Sequence, residues 1–313
     1  MNSAHLPAPP VLARLFSTRG CLTLALAGAV NVGILCWMPI ASGGVRAGLV
    51  GSGALAVAAA IAALRHRPRV LAAFAALVLL LCTGVATTRN RKVDTAAMRT
   101  QITLELRDHL GVAYTWGGEN WRGIDCSGLP RNALRGAAIK QAITHLNGRL
   151  AIVAVDQWWH DSSAAALGEG YRSNTSFLFE ADSIIAADDS TLQPGDFAIT
   201  ANGVHAVCYL GDHHWIHASP DAGKVIEVDA RNTNDGWFKV PVKMMRWRVL
   251  ENDHDSFDRS TGRTAENSPE VSDSPWFHGE RKLPCVISSA SGENGRCPSA
   301  RHACDSRDEE RPT

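Results

Sequence analysis

Three long apolar runs fill most of the first third of this 313-residue chain. They lie at about 22–41, 48–64 and 70–86, and each is near the length of roughly 20 residues that a helix needs to cross a bilayer. Helices of a soluble core would also be apolar, but these runs contain no Asp, Glu or Lys, which argues against a soluble core. For the same reason they hold no candidate residue for an ion relay. We expect residues 1–95 to form a membrane anchor of about three transmembrane helices.

After residue 95 the continuous apolar runs give way to shorter periodic segments. Apolar positions recur at helical spacing through 98–110, and short segments at 204–211, 215–219, 225–228 and 240–250 predict strands. From residue 251 the composition shifts to Asp, Glu, Ser, Arg and Gly, which cannot bury enough apolar surface to fold. The sequence therefore predicts a folded domain over 96–250 and a disordered tail over 251–313.

Two histidines lie on neighbouring predicted strands, His205 in GVHAVCYLG and His217 in WIHAS. The Gly-Asp pair at 211–212 between them is a hairpin turn signal. A three-residue loop pairs Leu210 with His214 and puts both histidines on one face of the sheet, within reach of each other. A four-residue loop puts them on opposite faces, so the sequence leaves both arrangements open.

Cys126 follows a Gly-rich and Trp-rich loop in the stretch YTWGGENWRGIDCSGL, which runs from Tyr114 to Leu129. Asp125 precedes the cysteine, where a helix N-cap would be. A thiol at a helix N-terminus faces free N–H groups and the positive end of the dipole, which lower its pKa toward the nucleophilic thiolate. The alternative is a buried structural cysteine. Pro130 lacks a backbone donor, and it predicts a displaced or kinked start of the helix.

Charge and cysteine content exclude several classes of function. The 31 Lys and Arg balance the 31 Asp and Glu, but residues 1–95 hold nine basic side chains against one acidic one. The rest of the chain is mildly acidic without a basic patch, so we expect no nucleic-acid partner. The eight cysteines form no CxxC pair, which argues against a zinc module or a disulfide scaffold. Cys297, His302 and Cys304 are a weak metal candidate, and we expect neither a metal nor an organic cofactor.

Four motifs in order carry a family resemblance: YTWGG with DCSGL, then LQPGD, VHAVCYLG and IHAS. The series resembles the NlpC-type cysteine peptidases of bacterial cell walls over roughly residues 98–250. It implies a papain-like α+β fold, with an antiparallel sheet packed on helices, and the cutting of peptidoglycan peptides. The region 150–170 makes the interval from Cys126 to Pro194 longer than the family pattern, which a lid or a specificity wall would explain. His160 and Asp161 within it are expected at the solvated surface.

Position by position, the resemblance implies a catalytic triad. Cys126 matches the nucleophile, His205 the base and His217 the residue that orients the base. Tyr114 and the backbone N–H of Cys126 match the oxyanion site. The residues that would contact substrate are Asp125, Ser127 and Trp116, although a tryptophan more often packs in a core.

The basic residues between the apolar runs bear on the orientation of the anchor. With three spans, the N-terminus and the loop 65–69 share one side and hold five Arg, against four basic residues on the other side. By the positive-inside rule this small excess places residues 96–250 outside the cytoplasm. A cell-wall substrate requires the same side. The resemblance therefore predicts a protein of the bacterial inner membrane whose catalytic domain faces the periplasm or cell wall.

The expected function is that of a membrane-anchored thiol hydrolase acting on peptidoglycan peptide. Two other interpretations stay open. An acyltransferase or another lipid-acting thiol enzyme would use the same site in an apolar, water-excluding groove, whereas an open polar groove favours a peptidase. A non-catalytic wall-binding module would not require the intact set of Cys126, His205 and His217.

Overall fold

The computed structural model describes residues 17–251 of the chain, so the predicted disordered tail falls almost wholly outside the described residues. The first three elements are the helices α1 (Thr18–Trp37), α2 (Gly43–Ala63) and α3 (Pro68–Thr88). Each is long and apolar enough to cross a membrane, which confirms the three predicted apolar helices. Ser17 and Ser42 cap the first two helices, and α3 begins at a proline, whose missing N–H is not needed in the first turn.

The helices α1 and α2 pack against each other as a hairpin. Asn31 Nδ2 donates a hydrogen bond to Ser52 Oγ at 2.6 Å, and Gly28 lies directly against the turn that carries Ser52 and Ala56. Most of their other side chains are exposed, as lipid-facing side chains would be. None of the residues of α3, all of which are described, is buried.

The domain that follows has the α+β architecture that the sequence predicts. Its helices are α4 (Thr95–Asp108), α5 (Gly128–His145), α6 (Gly148–Trp159) and α7 (Ala164–Gly168). A short pair of strands, β1 (Glu119–Asn120) and β2 (Gly123–Ile124), lies between α4 and α5. The main sheet contains β3 (Thr175–Ala181), β4 (Phe197–Thr200), β5 (Ala206–Gly211), β6 (His214–Ser219), β7 (Lys224–Asp229) and β8 (Val242–Trp247).

The six strands of the main sheet are antiparallel and follow the order β3-β8-β4-β5-β6-β7. Alternate side chains of the central strands enter two separate cores, as the period of two requires. Phe197 and Ile216 pack with α4 and α5 on one face, whereas Trp215 and Phe238 pack in a second layer on the other. The sheet is therefore covered on both faces, which holds its central strands rigidly in place.

The β5–β6 hairpin has the register that a three-residue loop predicts. Cys208 pairs with Ile216, and the register then shifts by one residue at a bulge so that Gly211 pairs with His214. Gly211 has a φ of +105°, a backbone conformation that favours glycine. The predicted pair of Leu210 with His214 is therefore wrong, because the loop itself holds only Asp212 and His213 and Leu210 is left unpaired at the bulge. Together these three unpaired positions give the odd count that puts residues 205 and 217 on the same face of the sheet.

The start of α5 is fixed by Asp125. Its side chain accepts a hydrogen bond from Gly128 N at 2.6 Å, and its carbonyl accepts one from Leu129 N at 3.1 Å. Pro130 lies in the first turn, where its missing N–H leaves no intrahelical bond unmade. The start of the helix is displaced, as one of the two expectations had it: α5 begins at Gly128 with Ser127 as its N-cap, and it continues to His145.

The turn between α1 and α2 is joined to the β1–β2 pair of the domain. Glu119 N donates to Pro39 O at 3.0 Å, and Asn120 Nδ2 donates to Met38 O at 2.7 Å. The rings of Trp37 and Trp121 meet edge to face at 5.4 Å. The α1–α2 hairpin thus contacts the same loop that precedes Cys126.

Candidate active site

Cys126 lies between the β1–β2 pair and α5, in a segment that Asp125 holds at three points. The carboxylate of Asp125 accepts hydrogen bonds from Gly117 N at 2.9 Å, Ser127 Oγ at 3.0 Å and Gly128 N at 2.6 Å. These bonds tie the Gly-rich loop on one side of the cysteine to the helix on the other. The structure therefore shows Asp125 and Ser127 as bracing for Cys126: the bond from Gly128 N is the capping contact that the sequence predicts for Asp125, whereas the bonds from Gly117 N and Ser127 Oγ were not predicted.

The thiol of Cys126 is buried and contacts the backbone that flanks His205. Its Sγ lies 3.7 Å from the carbonyl oxygen of Val204, and the backbone N–H of Ala206 is also directed at it. Among the residues that the structure describes, no hydrogen bond joins this thiol to the His205 ring. Catalytic hydrogen bonds are often long before substrate binds and tighten in the reacting complex.

Burial, with a contribution from the Asp125 charge, raises the pKa of Cys126 to about 11, and the backbone N–H groups around the sulfur oppose this only in part. The lowered pKa expected from a helix N-terminus is therefore wrong. The reason is that the sulfur is taken out of water, which costs the anion more than the N–H groups of the turn return. At neutral pH Cys126 is therefore a neutral thiol.

This protonation state gives a testable pH dependence. Because the thiolate fraction rises tenfold per pH unit below the pKa, we expect the rate of iodoacetamide alkylation at Cys126 to rise continuously from pH 6 to pH 10. The rate is followed by mass spectrometry of the peptide that contains Cys126, which separates it from the other cysteines. A rate that is flat between pH 5 and pH 8 would instead indicate a thiolate–imidazolium pair and contradict this expectation.

His205 and His217 are brought together as the same-face register requires. His205 Nε2 lies 2.8 Å from His217 Nδ1, and both residues are buried. His217 Nε2 in turn lies 3.1 Å from Asp235 Oδ2, an ion-pair distance, although the angle between them falls outside that of a hydrogen bond. The three side chains form a chain that ends on a carboxylate.

The row of His205, His217 and Asp235 favours one placement of the imidazole protons, because the carboxylate of Asp235 can only accept an N–H and cannot donate one. His217 Nε2 then carries its proton toward Asp235, so His217 Nδ1 is an acceptor. His205 Nε2 is consequently the donor in the bond between the rings. The lone pair of His205 is left on Nδ1, so that nitrogen is the one available to act as a base.

Burial of His205, together with its proximity to His217, lowers the pKa of His205 to about 3. Its ring stacks on Trp237 at 4.2 Å, and Trp237 is itself held by a hydrogen bond from Nε1 to Asp221 Oδ2. Burial also lowers the pKa of His217, against the charge of Asp235. Both imidazoles are therefore neutral at neutral pH, which a general base requires.

A cleft of about 430 Å³ opens beside Cys126. Trp116 stands at the cleft with 80% of its surface exposed, so it does not pack in the core. Six of the lining residues are carboxylates or serines: Glu119, Asp125, Ser127, Asp161, Ser162 and Ser163. The remaining lining residues are Trp116, Gly117, Cys126, Ala164, Gly203 and Val204. Glu119, Ser127 and Ser162 are buried, so the surface that the cleft presents is mixed, with Asp161 and Ser163 as its exposed polar residues.

Tyr114 lies close to Cys126 at the edge of this arrangement. Burial, with the charges of Cys126 and Asp125, raises the pKa of Tyr114 to about 12, so its phenol keeps its proton and can donate. The backbone N–H of Cys126 is likewise directed toward the sulfur. These are the two donors that the sequence assigned to an oxyanion site.

The long interval 150–170 forms one wall of the cleft through its residues 161–164. Asp161 is anchored from behind by Arg131, whose Nη1 lies 2.6 Å from Asp161 Oδ1. Its carboxylate remains 59% exposed, as expected for a solvated residue. His160 is held on its own helix by Asp156 at 3.0 Å.

Behind the cleft lies a charge cluster that sequence reasoning missed. The carboxylate of Glu119 accepts hydrogen bonds from Arg46 Nη2, at 2.7 Å, and from Arg131 Nη2, and it lies 3.7 Å from Arg135 Nη1. Arg46 belongs to α2, so the α1–α2 hairpin contributes a side chain to the support of the site. No periodicity links positions 46 and 119, and the only available signal was a lone arginine at the edge of an apolar run.

Residues 111–246 match the model of the NlpC/P60 family. The resemblance carried by the four motifs is thereby confirmed over this stretch. Members of the family are typically cysteine peptidases that hydrolyse peptidoglycan. No curated protein matches the chain.

Several solved structures resemble the chain at low identity. NlpC1 from Trichomonas vaginalis has 19% identity and a TM-score of 0.33, and the match covers 50% of this chain and 46% of that one. The P60 domain of an antigen from M. avium subspecies paratuberculosis has 17% identity and a TM-score of 0.31, with 51% and 100% covered. The peptidoglycan hydrolase RipB from Mycobacterium tuberculosis has 15% identity and a TM-score of 0.32, with 80% and 96% covered. The chain spans about half the length of the Trichomonas protein.

Proposed function

We propose that this protein is a membrane-anchored cysteine peptidase or amidase that hydrolyses peptide bonds of bacterial peptidoglycan. The observation that carries the proposal is Cys126 on the wall of the cleft, next to the backbone of His205, with the chain His205–His217–Asp235 behind it. A nucleophile, a base and a group that orients the base are the parts that thiol hydrolysis needs.

In the proposed mechanism Cys126 Sγ attacks the carbonyl carbon of the scissile amide. His205 takes the thiol proton and then donates it to the leaving amine, which leaves an acyl thioester on the cysteine. Water, deprotonated by His205, cleaves the thioester and restores the thiol. The N–H of Cys126 and the phenol of Tyr114 stabilise the oxyanion, a contribution of roughly 3 kcal/mol per donor.

The cleft favours a peptide over an acyl chain. Its wall presents the exposed carboxylate of Asp161 and the exposed hydroxyl-bearing Ser163, which suit amide and amine groups, whereas Ser127 and Ser162 are buried. A lipid-acting thiol enzyme would need an apolar groove that excludes water. Asp161 and Trp116, both largely exposed, make the peptide the better-fitting substrate.

The function is tested by incubating the purified full chain in detergent with peptidoglycan fragments and analysing the products by mass spectrometry. Fragments in which one peptide bond has gained water support the proposal. Transfer of an acyl group to an added amine or lipid, without hydrolysis, would instead identify the acyltransferase. Unchanged fragments bound by the protein would favour the wall-binding module.

His217 is proposed to orient His205 and not to transfer a proton to substrate. We expect His217→Ala to lower kcat by roughly 10²-fold while KM changes little, because the base loses its orientation but the cleft is intact. His217→Asn should recover a large part of that loss, since an amide can hold an imidazole through one hydrogen bond. Equal activity of the alanine variant and the wild type would remove His217 from the mechanism.

The three apolar helices are proposed to anchor the protein in the inner membrane, with residues 96–250 on the periplasmic side. The Arg excess on the side of the 65–69 loop and a cell-wall substrate both support this orientation. Protease applied to intact spheroplasts should remove the domain and leave a membrane-bound fragment. Protection of the domain until the cells are lysed would reverse the orientation.

A further inference from the structure

The α5–α6 helix pair exposes a row of large apolar side chains to solvent. On α5 they follow each other at helical spacing and continue into the connecting turn, where Leu146 is 72% exposed. On α6 they recur at i, i+3 and i+7, with Val155 64% exposed. We call this surface the apolar hairpin face, and its residues are Ile139, Ile143, Leu146, Ile152, Val155 and Trp159. A patch of this kind on a soluble domain marks an interaction surface.

Both ends of α5 are fastened to the ends of the apolar helices. Near its N-terminal end, Asn132 Nδ2 donates to the carbonyl of Glu119, and Glu119 N donates to Pro39 O in the α1–α2 turn. At its C-terminal end, Arg91 Nη1, three residues beyond α3, donates to His145 O at 3.0 Å. Helix α5 therefore runs between two points at which the apolar helices end on the side of the domain.

The start of α6 lies even closer to the apolar layer. Gly148 N donates to Thr88 Oγ1 at 2.9 Å, and Gly148 lies against the carbonyl of Val85, one turn inside α3. Six residues, 89–94, separate α3 from the threonine that begins α4, and Val93 among them already packs against the domain core. So short a connection holds the domain against the bilayer surface.

We propose that the apolar hairpin face lies in the interfacial layer of the same bilayer that α1–α3 cross, so that α5 and α6 act as a second, monotopic membrane contact. The inference rests on the proposed membrane anchoring. An apolar helix face bordered by basic residues is typical of such contacts. Here Arg89, Arg91 and Lys92 are exposed beside it and would meet anionic headgroups, while Trp159 suits the interface.

The consequence for function is a fixed orientation of the cleft. A domain held at the membrane through α3, the α1–α2 turn and the apolar hairpin face cannot rotate freely about its linker. The cleft beside Cys126 is then held at a fixed distance from the bilayer. It can reach only those peptides that lie no farther from the membrane than the domain itself extends. The substrate implied is the layer of peptidoglycan, or its membrane-linked precursor, that lies next to the membrane.

The test places an environment-sensitive fluorescent amino acid at single sites of the full chain in vesicles of phosphatidylethanolamine and phosphatidylglycerol. The sites are Val155 in the apolar hairpin face, Leu79 within α3, and Ile185 as the matched control. Ile185 is an exposed apolar residue beside the second core, on the opposite face of the sheet. Lipids with nitroxide groups at shallow or deep acyl positions serve as quenchers, and iodide reports access from water.

We expect shallow nitroxides to quench the probe at Val155, deep nitroxides to quench the probe at Leu79, and iodide alone to quench the probe at Ile185. If Leu79 is quenched by lipid while Val155 behaves as Ile185 does, the anchor stands and the inference is overturned. A Val155 probe shielded from both lipid and iodide would reveal burial against a second copy, which also overturns it. If Leu79 is not quenched, the anchor itself fails and the inference fails with it.

Discussion

Replacing Cys126 or His205 by alanine should abolish hydrolysis of peptidoglycan fragments, with losses in kcat on the order of 10⁴-fold or more for each. The two side chains act as a unit, because the neutral thiol is a poor nucleophile until the base takes its proton. This dependence is strong here, since burial keeps the pKa of Cys126 at about 11. The double variant should therefore be no less active than either single variant. Turnover is measured on the full chain, with circular dichroism to verify the fold.

Cys208 provides a matched control. It is the second buried cysteine of the domain, it lies on β5 three residues after His205, and it packs in the helix-side core. Cys208→Ala removes a second buried thiol that lies near Cys126 but takes no part in the proposed chemistry, so its kcat should stay close to that of the wild type. Full turnover by a folded Cys126→Ala variant would end the thiol-hydrolase proposal.

Much of the arrangement could be predicted because it depends on local rules. Apolar runs of bilayer length predict α1–α3, and short apolar segments with turn signals predict β5–β8, whereas β3 and β4 were not predicted. The Gly211 turn restricts the hairpin to a few registers, of which one puts His205 and His217 together. Cys126 was expected directly at a helix N-terminus and lies two residues before Gly128, where α5 begins, because the short-range signal of Asp125 does not fix the first helical residue.

The rest depends on contacts between distant segments. Asp235 reaches His217 from a loop of short turns that has no periodicity to interpret. The pKa of Cys126 depends on how deeply the sulfur is buried, and a capping motif carries no information on that depth. Pairing of Arg46 with Glu119 joins segments 73 residues apart. Such features become visible only when the chain is folded.

That last contact leads to the second large effect, on stability. Glu119→Gln keeps the size of the side chain but removes the charge that faces Arg46, Arg131 and Arg135. Arg46 and Arg131 have side chains only 6% and 4% exposed, so the cluster cannot regain hydration. Removing one partner of a buried ion pair costs about 3–5 kcal/mol. For a domain of this size that lowers Tm by roughly 6–20 °C.

The measurement is thermal unfolding of the full chain in detergent, followed by tryptophan fluorescence, with Glu227→Gln as the control. Glu227 lies 3.2 Å from Arg107, whose side chain is 48% exposed, so the loss of that pair should cost no more than about 1 kcal/mol. Arg46→Met combined with Glu119→Gln should destabilise by less than the sum of the two single changes, because the second change removes a charge that the first has left unpaired. Equal Tm values for Glu119→Gln and Glu227→Gln would show that the cluster does not stabilise the junction. A large and non-additive effect would mean that one set of charges holds both α2 and the wall of the cleft. A change in the α1–α2 hairpin would then alter the packing of the cleft beside Cys126.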